Sequence, residues 1–250
     1  MGNLLELMAL LWFLVCWLGY TKYSRRRASS RPCLSNTLDL YREDWMRVML
    51  RRENRIADAS VVGNLERNGA FFASSCLLIL AGIITALGYT REIMEVFSTM
   101  PFGTMPTREV WELRLLVLLV VFIYAFFKFT WSMRMYNFVS VMVGSAPPPD
   151  DTKISPAGRE AFARSAGNIC NLAGDTFNLG LRSYYYALAV VGWFIHPVVF
   201  MAASTLVVIV LYRREFCSEA LLALRAGKVF EEPVAGRPEN RSAPKSSSTG

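Results

Sequence analysis

The sequence is poor in the residues that carry most enzymatic and metal chemistry. It contains one histidine, which excludes the haem and di-iron membrane enzymes that use several histidine ligands. Its five cysteines show none of the paired spacing of a zinc or redox site. It has no P-loop, no Rossmann glycine pattern and no Ser-His-Asp arrangement. The sequence therefore indicates no catalytic residue, no cofactor and no metal ligand.

Long apolar runs are what the sequence has in abundance. Hydrophobic residues make up 53% of the chain, and the mean hydropathy is +0.30. A helix needs about 20 apolar residues to cross a bilayer. Four segments meet this requirement, at about 4–20, 70–88, 112–131 and 187–212, and Pro197 is expected to kink the last and longest of them. The predicted fold is all-α, an integral membrane protein with about four transmembrane helices plus amphipathic cytoplasmic helices.

The first apolar run is typical of a retained anchor rather than a cleaved signal peptide. Nothing basic precedes it, and it ends in the bulky and basic string "GYTKYSRRR" instead of a small-residue cleavage site. Residues 1–232 are expected to form one membrane domain. Residues 233–250 are polar and rich in Pro and Ser, and they are expected to be disordered.

The distribution of Lys and Arg predicts an orientation. The loop 21–69 holds eleven, 89–111 holds two, 134–183 holds five and the region after Tyr212 holds seven. Because cytoplasmic loops are enriched in Lys and Arg, the first and third loops are expected inside and both termini outside. The expected location is the inner (plasma) membrane of a bacterium. The basic C-terminal region disagrees with this orientation.

The net charge of +7 indicates an anionic partner. Its excess concentrates in the first loop, beside the membrane, so the bilayer with its anionic headgroups is the expected partner. No recognition motif supports a nucleic-acid partner.

Two cytoplasmic helical segments are predicted, at about 36–66 and 157–183. The first has an apolar face opposite a basic one, which fits either the membrane interface or packing against the protein's own helices. The linker "GSAPPPDDTKISP" precedes the second. We expect the two segments to pack together beneath the spans. This packing would bring four arginines of the first segment near Asp175 and its neighbours, namely Arg42, Arg51, Arg52 and Arg55.

One polar stripe follows the second segment at alternating spacings of four and three, which place its members on one side of a helix. Asn and Asp are weak helix formers with short side chains, so their recurrence is unusual for a solvated face. Three interpretations are open: hydrogen bonding between helices, a solvated face, or a site for a polar ligand or ion. The stripe comprises Arg164, Asn168, Asn171, Asp175, Asn178 and Arg182.

His196 is the candidate polar site inside the membrane, near the middle of the predicted fourth span. An ionisable group at membrane depth is a candidate for function. The alternative is a neutral histidine that hydrogen-bonds across helices to the second span, to Ser74, Ser75 or Thr85.

Several strings together resemble the domain-of-unknown-function 599 family, a group of uncharacterised multi-pass membrane proteins. They are "NLERNGAFFASSCLLILAGIITALG", "FKFTWSMRMYNFVSVMVGSAP", "AGDTFNLGLRSYYYALAVVGWFIHP" and "VLYRREF". The resemblance covers roughly residues 5–230. It implies an integral membrane protein with about four spans, and it implies no activity.

Three classes of function are compatible with these observations. The first is a structural or accessory membrane protein whose cytoplasmic helices hold a partner or a second copy, a role that needs no catalytic residue. The second is a small oligomeric channel or transporter, with the stripe as its vestibule and His196 on its path. The third is a lipid-acting enzyme with an unfamiliar site.

Overall fold

The computed structural model describes residues 2–28, 30–98 and 106–227. Over these residues every regular element is a helix. Helix α1 (Gly2–Leu14) continues through one π-helical stretch (Val15–Gly19) into α2 (Tyr20–Ala28). The others are α3 (Leu34–Met49), α4 (Ile56–Gly88), α5 (Thr90–Ser98), α6 (Arg108–Ser145), α7 (Pro156–Trp193), α8 (Pro197–Phe216) and α9 (Glu219–Ala226). The predicted tail, 233–250, lies outside the described residues.

Four helical segments are long and apolar enough to cross a membrane. They are Leu4–Ala28, Ile56–Gly88, Arg108–Ser145 and Pro197–Ala226. The prediction of an all-α integral membrane protein with about four such helices is confirmed.

Two hydrophobic cores lie one below the other along the bundle. The membrane core joins α1, α4, α6, α7 and α8, and aromatic rings such as Phe13, Phe129, Trp193 and Phe200 occupy its centre. The lower core joins α3 to the start of α4, the end of α6 and the start of α7. Helices α6 and α7 have 38 residues each, about 57 Å at 1.5 Å per residue, so they extend well beyond a bilayer core of about 30 Å and pass through both cores.

The predicted fourth span, 187–212, is not one helix. Helix α7 ends at Trp193, the chain turns through Phe194–His196, and α8 begins at Pro197. The two helices run antiparallel, because Trp193 stacks on Phe200 at 4.6 Å near the turn while Arg182 pairs with Glu215 at 3.4 Å far from it. Proline does not kink a continuous helix here. It begins a new one, at the position where its missing N–H has no cost.

The C-terminal half of α7 runs beside the whole apolar length of α6. Phe177 meets Phe129 at 5.4 Å, Tyr184 meets Phe122 at 5.3 Å, and Trp193 lies 5.7 Å from the guanidinium of Arg114. Because neighbouring helices cover much of this half, it can carry polar residues and does not form a long apolar run of its own. Among its buried side chains are Ser183, Tyr186 and Trp193.

The two ends of the described chain lie at opposite ends of the bundle. Helix α1 begins beside the α7–α8 turn, where Glu6 accepts a hydrogen bond from Trp193. Helix α9 packs on α3 at the other end, where Tyr41 donates to the carbonyl of Leu224 at 2.8 Å. Five helical passes of the bundle lie between these two ends: α1 with α2, α4, α6, α7 and α8. The expectation of two non-cytoplasmic termini stays a prediction.

The lower layer consists of α3, α9 and the parts of α4, α6 and α7 around the lower core. The segment predicted as 36–66 is two helices, α3 and the start of α4, separated by a turn at 50–55. Buried Asp58 fixes this corner by accepting from Trp45 and from Arg52, both at 2.7 Å. The segment predicted as 157–183 continues without interruption into the membrane core as α7.

Candidate functional site

The polar stripe divides into two halves. Arg164 and Asn168 are exposed, and Arg164 has only a distant ion pair with Glu160 at 3.8 Å. Asn171, Asn178 and Arg182 are half-buried. The end of the stripe far from the membrane core, at Arg164 and Asn168, therefore faces solvent, and the end towards the membrane core takes part in contacts between helices.

Asp175 connects the stripe to the start of α3. It is exposed, and its carboxylate accepts a hydrogen bond from the hydroxyl of Ser35 at 2.6 Å. The backbone N–H of Ser35 donates to Glu215 of α8 at 3.2 Å. Both carboxylates thus lie at the N-terminus of α3, where the helix dipole favours negative charge.

Arg182 closes this network towards the membrane core. Its guanidinium contacts Glu215 and the hydroxyl of Ser24, each at 3.4 Å, and lies 5.5 Å from the ring of Tyr20. The side chains of Arg182 and Glu215 are only 15% and 14% exposed, so each charge depends on the other for compensation. The network ties α2, α3, α7 and α8 together where the two cores meet.

A second ion pair lies on the side of α3 that faces α7. Arg42 pairs with Asp39 at 3.0 Å and passes so close to Gly174 that a side chain there would collide with the guanidinium. Burial, and then the nearby charge of Asp175, raise the pKa of Asp39 to about 6, while Arg42 opposes this shift. Close by, the side-chain oxygen of Asn171 is buried and has no hydrogen-bond partner among the described residues.

Of the four loop-one arginines expected near Asp175, the structure places one there, Arg42. Arg52 instead binds Asp58, and Arg55 donates to the carbonyls of Ala146 and Pro147. Arg51 lines a surface cleft with Arg159 and Pro149. Arg52 and Arg55 therefore contact groups around the turn between α3 and α4, and Arg51 lies on the surface.

His196 lies at the turn between α7 and α8, not in the middle of a span. Its Nδ1 accepts a hydrogen bond from the backbone N–H of Val198 at 3.2 Å, which caps the N-terminus of α8. The expected bonds to Ser74, Ser75 and Thr85 are not its contacts. Ser75 and Thr85 instead bond to carbonyls of their own helix. The sequence signal for this role is the His-Pro pair, since proline favours the first position of a helix.

One buried ion pair is not among the sequence-based predictions. Arg114 donates to Glu6 at 2.6 Å, and their side chains are 4% and 15% exposed. The indole N–H of Trp193 donates to the other oxygen of Glu6, and Nε of Arg114 is buried without a partner among the described residues. A charge inside each of two apolar runs, of opposite sign, is the signal that predicts such a pair.

These charged and polar groups hold the helices of the bundle together. No group of three or more His, Cys, Asp or Glu side chains suited to a metal ion occurs among the described residues. The ion pairs join helices that are distant in sequence: Glu6 to Arg114, Arg182 to Glu215 and Arg47 to Glu160 at 2.9 Å.

The fold and these contacts define a helical integral membrane protein with a packed helical layer below its membrane core. A sequence profile described as "Protein of unknown function, DUF599" matches residues 8–220, and the chain belongs to this family. No curated protein matches the chain, and no solved structure matches it.

Proposed function

We propose that the chain crosses the membrane five times, with the C-terminal half of α7 as the additional crossing. Its support is the course of α7 beside α6, from the contact of Phe177 with Phe129 to that of Trp193 with Arg114. The α7–α8 turn then emerges on the same side as the start of α1.

The lower layer would face the cytoplasm. Nineteen Lys and Arg residues of the described chain lie in 21–69, 134–183 and 213–225, all at the end of the bundle that carries the lower layer. Three lie at the other end, Arg91, Arg108 and Arg114. With five crossings, the basic region after Tyr212 joins the two basic loops on one side. The basic C-terminal region then no longer disagrees with the orientation. A bacterial inner membrane fits the same excess of Lys and Arg on the cytoplasmic side.

The function that this geometry supports best is that of an accessory protein, which anchors a partner protein to the membrane through its lower layer. The observation that carries this proposal is the way the membrane core is filled. Rings of Phe72, Phe129, Phe177 and Tyr184 contact one another at 5.2–5.7 Å in its centre. A pathway for a solute has no support from His196, which caps a helix at the turn.

The exposed side of the first half of α7 is the candidate surface for the partner. Leu172 is 55% exposed there and lies between Asn168 and Asp175, which are also exposed. Exposed Arg164 lies about two turns before Leu172. A helix of a partner protein would cover Leu172, with an acidic residue opposite Arg164 and a basic one opposite Asp175. Two copies related by an axis along the membrane normal would instead oppose like charges, so the surface favours a different protein.

Site-specific photo-crosslinking in cells tests this proposal. A photoreactive residue in place of Leu172 is expected to give an adduct of defined mass with another protein. The same residue in place of Leu222 of α9, which is 66% exposed, is the matched control and should give no such adduct. Arg164→Glu with Asp175→Lys should abolish the adduct. An absent adduct, an adduct with a second copy alone, or solute flux through liposomes carrying the pure protein would overturn the proposal.

A further inference from the structure

An apolar groove of about 430 Å³ opens on the lipid-facing side of the bundle, between the first helical pass and α8. Val15, Cys16 and Tyr20 form one wall, and Val208, Ile209 and Tyr212 form the other. Above the groove the two helices touch, since Trp12 donates to Thr205 at 3.1 Å and the ring of Phe13 lies 5.1 Å from that of Phe200. Below it they meet again at Tyr23 and Tyr212, at 6.4 Å.

The first wall of the groove includes part of the π-helical stretch Val15–Gly19. A π-helix is wider than an α-helix, and such stretches are rare and frequently occur at functional sites. Val15 and Cys16 belong to this stretch, and Tyr20 follows it directly.

A cation lies at the lower end of the groove. The guanidinium of Arg27 is 5.6 Å from the ring of Tyr23, 5.7 Å from that of Tyr212 and 5.8 Å from that of Phe216. It donates to the hydroxyl of Tyr23 at 2.6 Å, but its Nε is buried and has no hydrogen-bond partner among the described residues. The exposed side chains of Arg25 and Arg213 add positive charge at the same level of the bundle.

We propose that this groove is a binding site for an anionic phospholipid, with one acyl chain between the two walls and the phosphate at Arg27. From Trp12 to Tyr23 the groove is about 16 Å long at 1.5 Å per residue, and half of a hydrocarbon core of about 30 Å is about 15 Å. The groove therefore matches one leaflet. With the orientation proposed above, this is the cytoplasmic leaflet. The assignment of the leaflet rests on that orientation, whereas the lipid site itself does not.

Native mass spectrometry of the whole protein in mild detergent tests the site. The probes are phosphatidylglycerol and phosphatidylcholine with identical acyl chains. Wild-type protein is expected to retain one phosphatidylglycerol and to bind it about tenfold more tightly than phosphatidylcholine. Ile209→Trp fills the groove and should weaken the binding of both lipids by about tenfold or more. Arg27→Gln should remove the preference for phosphatidylglycerol and leave the binding of phosphatidylcholine unchanged.

Leu78→Trp is the matched control, because Leu78 is 77% exposed on α4 and is not part of the groove. This variant should bind both lipids as the wild type does. Thermal unfolding of each variant confirms its fold, and Val208→Trp replaces Ile209→Trp if the latter does not fold. Equal binding of the two lipids by the wild type, unchanged binding in a folded groove-filling variant, or a lipid-free dimer that buries the groove would overturn the proposal. Cysteine accessibility from each side of vesicles tests the orientation separately, and its failure would only move the site to the other leaflet.

Discussion

The membrane core and the lower core are built from different side chains, although α4, α6 and α7 contribute to both. In the membrane core, rings interlock: Phe72 stacks on Phe129 at 5.2 Å, and Tyr184 meets both edge-on. In the lower core the side of α7 that faces α3 is made of small residues, including Ala163, Ala166 and Gly167. Lipid gives helices no hydrophobic reason to associate, so contact area must come from shape. Below the membrane, small residues let α3 lie close and exclude water.

The two cores also differ in the ion pairs that join their helices. The membrane core has a single buried ion pair between helices at its far end, Glu6 with Arg114, among the described residues. In the lower layer, the pair that joins α3 to α7, Arg47 with Glu160, is partly exposed, with side chains 34% and 42% accessible. A charge with no access to water depends on its partner far more than a charge near solvent does, so the two layers should respond differently to the loss of one charge.

The largest effect is expected for Arg114→Leu, which leaves Glu6 buried without its cation. Thermal or denaturant unfolding should show a loss of about 3–5 kcal/mol. The double variant Glu6→Gln with Arg114→Leu removes both charges, keeps an acceptor for Trp193 and should recover most of this loss. Arg108→Leu breaks an exposed pair with Glu112 and is the control, with little change in stability expected. Equal effects for Arg114→Leu and Arg108→Leu would show that the buried pair is not a fastening.

A smaller effect, confined to the lower layer, is expected for Gly167→Leu. A Cβ atom at Gly167 would lie 3.0 Å from the backbone Cα of Glu43, and backbone cannot move aside as a flexible side chain can. The loss should be about 1–3 kcal/mol. Hydrogen exchange should rise in α3 and remain low in the membrane part of α6. Gly144→Leu is the control, because its Cβ meets nothing within 4 Å. Loss of protection in both layers at once would mean that the two cores unfold as one unit.

The pH dependence of the lower layer provides a third test, through Asp39. Its pKa of about 6 exceeds the ordinary 3.8, so the folded protein binds the proton more tightly than the unfolded chain does. Stability contributed by this group should therefore fall as the pH rises from about 4 to about 6. Asp39→Asn should remove this part of the profile and raise stability at pH 7 by about 1–2 kcal/mol. The groups that face Asp39 are Asp175, Arg42 and Glu43, and they remain in the variant. A profile for Asp39→Asn parallel to that of the wild type would contradict the assignment.

The smallest effect is expected at the turn. His196→Ala removes the cap of α8 and should cost about 1 kcal/mol, whereas His196→Asn keeps a capping side chain and should cost less. Thermal unfolding of both variants measures the difference. If the two variants were equally stable but differed in solute flux through liposomes, the histidine would act on a pathway and not as a cap.

Much of the fold follows from the sequence, and the exceptions have physical reasons. Apolar runs near 4–20, 70–88 and 112–131 mark helices that lipid surrounds, so hydropathy finds them. Helix α7 carries Asn178 and Arg182 at the start of its C-terminal half, and other helices cover much of that half. Its hydropathy is therefore low, and its apolar end joined α8 into one apparent run. The turn at His196–Pro197 was visible in the sequence, but proline alone does not distinguish a kink from a reversal.

The candidate site was less accessible to sequence reasoning. Periodicity placed the stripe on one side of α7, and the structure keeps it there. Which half is covered depends on α3, whose position is set by contacts at Gly167 and Gly174 that no local pattern reveals. Glu6 and Arg114 are 108 positions apart, and only the folded bundle brings them together.

The polar residues in the C-terminal half of α7 also bear on how the protein is inserted into the membrane. In the five-crossing topology proposed above, the C-terminal half of α7 carries Asn178 and Arg182, and such a segment partitions weakly into lipid when it leaves the ribosome alone, since charged residues resist insertion. Helix α8 follows after a short turn and brings Glu215 to Arg182. The two helices are therefore expected to enter the bilayer as one hairpin, so that α7 waits at the translocon until the synthesis of α8 is complete. A ribosome stalled between them would leave α7 outside the membrane.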